Sequence, residues 1–269
     1  ATDKKGGETY LLKSLIDTGT VDATKAKNLT EKIENYRALT RATDAVDSVS
    51  QDTNSLTQAR GTVQYAGDTM DVSFDSSTRE KIVLRNGKVQ LSSETKITQN
   101  GETTESGTWI KDGWLYLYTK DGGVTAKNKV AVDDSMTDAD LAEVESNQVD
   151  KVGLSAIKSI SVVKDGLTSY YSVDVDASAA AFLSGILENY VDEDDKDLTS
   201  IEVSDIKVTY TVNGQGVLGA MTTSFRLKIV YASGEFQGDP MVMDMKYTVA
   251  TNILATGNAV SITFPDFSD

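Results

Sequence analysis

Residues 107–120 read GTWIKDGWLYLYTK, and this stretch holds both tryptophans of the chain. At its centre Asp112-Gly113 supplies the pair that tolerates positive φ, as a type I′ hairpin turn demands. Two strands therefore meet across it. A two-residue turn sets Lys111 opposite Trp114, Ile110 opposite Leu115, Trp109 opposite Tyr116, Thr108 opposite Leu117 and Gly107 opposite Tyr118. One face then carries Trp109, Trp114, Tyr116 and Tyr118, and the other Ile110, Leu115, Leu117 and Thr108. Facing Gly107, the Tyr118 ring can lie over its bare backbone, the arrangement called aromatic rescue.

A one-sided antiparallel sheet is apolar towards the core and polar towards water. This hairpin is apolar on both faces. Three coverings of the second face fit that pattern. The N-terminal helices pack on it, or it stands half-exposed with the tyrosine hydroxyls in water, or it lines a groove for an apolar ligand.

The same turn chemistry recurs outward along the chain. Asn86-Gly87, Asn100-Gly101 and Asp165-Gly166 each separate two runs of period two, which predicts an antiparallel meander. Further on, Ile206, Val208, Tyr210 and Val212 alternate. Phe225, Leu227, Ile229 and Tyr231 follow on one face of the next run, then Met241, Met243, Met245, Tyr247 and Val249, and AVSITFP closes the pattern.

Helical spacing marks three other places. Residues 1–55 form an N-terminal helical section, in which Leu29, Ile33, Tyr36, Leu39, Val46 and Val49 recur at three and four, with Ala42 filling one gap. A short acidic helix is predicted over 137–147. A better defined one spans 177–190, with Asp176 as N-cap and a stripe that includes Phe182, Leu183, Ile186 and Leu187. The predicted architecture is α+β, mainly antiparallel β, with residues 1–55 as the helical section and 56–269 as the sheet domain.

Composition narrows the chemistry. The 269 residues include no His and no Cys, and the formal net charge is −15. Imidazole and thiolate catalysis or metal binding are excluded. So much negative charge is repelled by phosphate backbones, so nucleic acid is not an expected partner. No run of about 18 apolar residues predicts a membrane span. The polar opening ATDKKGGETY reads as a tether.

The remaining motifs are read as structural. DEDDKD at 192–197 offers oxygen ligands without calcium-loop spacing and is expected to be a solvated loop. GQGVLG at 214–219 sits between two strands, with no lysine where a phosphate loop needs one, so it is a turn. No carboxylate pair stands out in an apolar context, so no catalytic residue, metal or cofactor is expected. The Met241, Met243 and Met245 row is core filling or the lining for a flexible ligand.

Hairpins with Asx-Gly turns, then IKDGWLYLYTKDGG followed by Lys127 and Lys129, then a helix, then long strands ending SITFPD resemble the LolA/LppX-like lipoprotein fold. They resemble most the Gram-positive cell-surface lipoproteins that share it. The resemblance covers residues 60–269. It implies a curved half-barrel sheet wrapping helices, with 177–190 in its concave side. It also implies an extracytoplasmic, non-enzymatic module that binds or transfers a lipid or other apolar ligand. The ligand-lining candidates are then Trp109, Trp114, Tyr116, Tyr118, Phe182, Leu183, Ile186, Leu187 and Met243. Attachment to a membrane is expected only through a lipid anchor on a precursor, because the chain has no lipobox Cys. The alternative is a surface protein-interaction or structural module with a filled core.

Overall fold

The computed structural model describes residues 23–46, 50–85, 88–132, 152–176, 198–231 and 240–267. The helices predicted before residue 23 and over 137–147 and 177–190, with Phe182, Leu183, Ile186 and Leu187, lie outside the described residues, as do Asn86-Gly87 and DEDDKD. One α-helix is described, α1 (Ala23–Asp44). Eleven antiparallel strands follow: β1 (Gln51–Tyr65), β2 (Asp68–Arg85), β3 (Lys88–Gln99), β4 (Glu102–Lys111), β5 (Trp114–Asp121), β6 (Val124–Ala131), β7 (Ile157–Asp165), β8 (Thr168–Val175), β9 (Leu198–Val212), β10 (Leu218–Tyr231) and β11 (Met241–Thr256).

These strands form one open sheet in the order β6-β5-β4-β3-β2-β1-β11-β10-β9-β8-β7. The chain enters the sheet at its middle and meanders out to the β6 edge. It resumes at the opposite edge with β7 and returns until β11 pairs with β1. The turns follow the predicted chemistry where they are described. Asn100-Gly101 and Asp112-Gly113 have φ of 50° and 89°, and of 50° and 76°. Two turns that the Asx-Gly rule missed, Ala66-Gly67 and Gly122-Gly123, also have positive φ at both positions. The turn after β7 is one residue later than predicted. Asp165 ends the strand opposite Thr168, leaving Gly166 and Leu167 as the turn.

Ladder registers carried from strand to strand define the two faces of the sheet. The apolar face takes Val173, Val208 and Tyr210, Phe225, Leu227 and Ile229, and Met245 and Tyr247, all buried. Each fully buried aliphatic side chain there contributes roughly 1.5–3 kcal/mol. Phe225 and Tyr247 stack with centroids 5.1 Å apart and rings 8° from parallel. A bulge at Asp205, with φ of 56°, lets Ile201 and Val203 join Ile206 and Val208 on this one face.

β1 begins at Gln51, where the sequence pattern had extended the helical section to about residue 55. The strand is hard to see because its apolar-face residues are small. Ala59 pairs with Phe74 on one side and Tyr247 on the other, and those rings close over it. Gly61 pairs with Met245, and a Cβ there would lie 2.8 Å from the Met245 Cα.

α1 docks on this apolar face through its C-terminal half. Leu39 and Ala42 are buried, and Tyr36, Leu39, Thr40 and Thr43 meet Val152, Ile157, Val173 and Tyr210. The Lys32 ammonium donates to the Ile157 carbonyl. The void left in this seam is about 10 Å³, room for one water at most.

The other face of the sheet is polar at its centre. Arg60 pairs with Asp75 at 2.7 Å, Arg79 with Asp52 at 2.9 Å and Arg226 with Asp244 at 2.5 Å. Its character changes towards β4, β5 and β6.

Candidate functional site

The hairpin of β4 and β5 has the predicted register, residue for residue, from Lys111–Trp114 to Gly107–Tyr118. Its aliphatic side, with Ile110 and Leu115, continues the apolar face of the sheet through Leu91. Its aromatic side therefore lies on the polar face, away from α1, which packs against β7 and β9.

What covers the aromatic side is the segment after β11. A 3-10 turn over Gly257–Ala259 ends the strand, and its Gly257 N–H donates to the Ser50 carbonyl at 2.8 Å. Val260 is buried, and the Lys81 ammonium donates to the Ser261 carbonyl at 3.1 Å. The chain then runs without ladder pairing beside β4–β6 and sets Phe267 against two rings. Its centroid is 5.8 Å from that of Trp109 and 5.1 Å from that of Tyr116. Trp109 is thereby buried to 6% exposure, and its Nε1 has no hydrogen-bond partner among the described residues.

The atoms nearest a Cβ at Gly107 belong to the ring of Trp109, two residues along the same strand. A Cβ at Gly107 would lie 2.6 Å from Trp109 Cζ3.

Three lysines stand over the same aromatic surface. Strand register places Lys129 opposite Tyr116 and Lys127 opposite Tyr118. The Lys129 ammonium sits 4.2 Å from the Trp114 ring centroid and 5.2 Å from that of Tyr116. Lys111 Nζ is 4.8 Å from the Phe264 centroid, and Lys127 Nζ is 5.9 Å from that of Phe267. An ammonium over a ring face is held by the quadrupole without being neutralised.

Between tail and hairpin the structure leaves a cleft of about 300 Å³, lined by Lys111, Tyr116, Lys129 and the tail residues Phe264, Pro265, Asp266 and Phe267. That is the lower end of the range for small-molecule sites. Asp266 is itself engaged in an interaction within the protein.

The structure brings together Trp109, Trp114, Tyr116 and Tyr118 of the predicted ligand-lining set. Trp114 is 39% exposed and the two tyrosines are half-buried, and of the four only Tyr116 lines the cleft. Met243 is not with them. It packs on the main core on the apolar face. Phe264 and Phe267 escaped the sequence reading because SITFPDF forms no ladder, so no register ties it to the hairpin. The signal available was the excess of aromatic surface itself, which needs a partner. Among the described residues no group of acidic side chains is placed to hold a metal ion.

No protein-family profile matches the chain, and no curated protein does. Among solved structures, the chain is similar to a DUF1329 family protein from Desulfovibrio piger. The identity is 10% and the TM-score 0.21, over 79% of this chain and 90% of the other. It is also similar to a putative outer membrane lipoprotein-sorting protein domain from Vibrio parahaemolyticus. There the identity is 8% and the TM-score 0.19, over 86% of this chain and 95% of the other.

Proposed function

We propose that this protein is a non-enzymatic, extracytoplasmic binding module that takes up a lipid or other amphiphile. In this reading it is secreted or tethered at the surface of a Gram-positive bacterium, and its sheet coils into a half-barrel about the apolar face. A sheet of more than about ten twisted strands tends to curl, and the resemblance of the sequence to lipoproteins of this shape supports the location. The observation that carries the reading is the cleft under the tail. It joins ring surfaces of Tyr116, Phe264 and Phe267 to the lysines Lys111 and Lys129. Rings suit an acyl chain or another apolar body, and ammonium groups suit a polar head.

Native mass spectrometry of gently purified protein tests this, together with quenching of Trp114 fluorescence by a brominated lysolipid. A co-purified amphiphile mass and saturable quenching are expected. Protein that stays ligand-free, with no quenching up to the critical micelle concentration, would overturn the reading.

A second reading, an interaction module with a filled core, is favoured by the tight seam under α1. It predicts the ligand-free outcome.

A further inference from the structure

We infer that the cleft selects amphiphiles with an anionic head, holding a phosphate or carboxylate group between the ammonium groups of Lys111 and Lys129. The inference deepens the binding reading above and rests on it.

The cleft gathers two lysines in an acidic protein. The chain carries 41 acidic residues against 26 basic ones. Some of its lysines meet a carboxylate, as Lys120 meets Glu105 at 3.9 Å. The ammonium groups of Lys111 and Lys129, which line the same cleft, have neither an ion pair nor a hydrogen bond to any described residue. What holds them is aromatic. Lys111 stands over Phe264, and Lys129 stands over Trp114 and Tyr116. Ring faces orient an ammonium group and leave its N–H donors unfilled.

Those donors border a space of about 300 Å³. Lys111 is half-buried and Lys129 exposed, and the rings beside Lys111 lower the local dielectric there, so an anion next to it is attracted more strongly than in open water. The fold fixes the arrangement, since ladder pairing holds Lys129 across from Tyr116 and Lys111 across from Trp114. Asp266 also lines the cleft, so the site sets one carboxylate beside its two ammonium groups. A zwitterionic head would bring its own cation against the two ammonium groups, and the site disfavours it.

The experiment compares lysophosphatidylglycerol with lysophosphatidylcholine of the same chain length, below micelle concentration, by Trp fluorescence and calorimetry. Inorganic phosphate serves as competitor. The wild-type protein is expected to bind the anionic lysolipid at least about tenfold more tightly, the scale of one charge-assisted hydrogen bond. The double variant K111Q/K129Q is expected to lose that preference with an unchanged circular dichroism spectrum, and K111R/K129R to keep it. Equal affinity for the two lysolipids would overturn the anionic selectivity and leave amphiphile binding standing. Binding of neither would overturn both. Full displacement by equimolar phosphate would assign the two lysines to a free anion and overturn the lipid head as its source. Loss of the circular dichroism signal in K111Q/K129Q, with retained preference in each single variant, would count against the lysines as the selective groups.

Discussion

Phe267 lies against Trp109, ring edge to face at 63°, and this contact joins the end of the described chain to the fourth strand of the sheet. It explains why a hairpin on the outer side of a sheet carries tryptophan and tyrosine. The aromatic face is the seat of an unladdered tail, and the tail in turn forms one wall of the cleft. Sheet, tail and cleft are one construction, so disturbing Phe267 should be felt in all three.

Phe267→Ala removes the ring that covers Trp109 and tilts onto Tyr116. Losing a half-buried aromatic that packs on two rings is expected to cost about 1–3 kcal/mol. Trp109 should also become accessible, so tryptophan emission should shift to the red and acrylamide quenching should rise. An unchanged spectrum would show that the tail does not hold this position in solution.

Two glycines are expected to respond to Ala for different reasons. At Gly107 the added methyl meets the far edge of the Trp109 ring, which moves at a cost of about 1–3 kcal/mol. At Gly61 it meets the backbone of β11 around Met245, which has nowhere to go within a paired ladder. Urea melts should therefore place Gly107→Ala below wild type and Gly61→Ala lower still, to the point of poor folding.

The hairpin register was legible because Asp112-Gly113 fixes it locally. The long alternating runs of β9, β10 and β11 were legible because large side chains mark the apolar face. β1 was not, since Ala59 and Gly61 are small so that Phe74, Tyr247 and Met245 can close over them. The bulge at Asp205 was hidden because period two breaks there while the buried face continues. Trp109, Trp114, Tyr116 and Tyr118 were read as sharing one face and do share it, while of the four Tyr116 alone lines the cleft. Their cover was illegible, because a contact between Trp109 and Phe267 leaves no periodic trace in either segment.

α1 offers a sharper contrast along one helix. Leu39 is buried against the sheet, whereas Leu29, ten residues earlier on the same apolar series, is 42% exposed. Leu39→Ala is expected to cost about 2–5 kcal/mol, because the seam beneath it is already tight and cannot collapse further. Leu29→Ala should fall within about 0.5 kcal/mol of wild type. Denaturant midpoints for the two variants decide the matter, and equal effects would mean that the helix docks along its whole length.

Acid should expose the ion pairs on the polar face. The Arg226 guanidinium, bonded to both carboxylate oxygens of Asp244 at 2.7 and 2.5 Å, holds that carboxyl below its ordinary value. Arg60 does the same for Asp75. A depressed folded-state pKa adds stability that is present above the unfolded value of about 3.9 and lost as pH falls through the folded one. The net charge of −15 complicates the absolute curve, since protonating other carboxylates relieves repulsion as the pH drops. The difference between wild type and the double variant D75N/D244N isolates the two pairs. The variant should be less stable at pH 7, and the gap should narrow below about pH 4. A gap that stays constant between pH 7 and pH 2 would mean that the two arginines do not stabilise the charged carboxylates in solution.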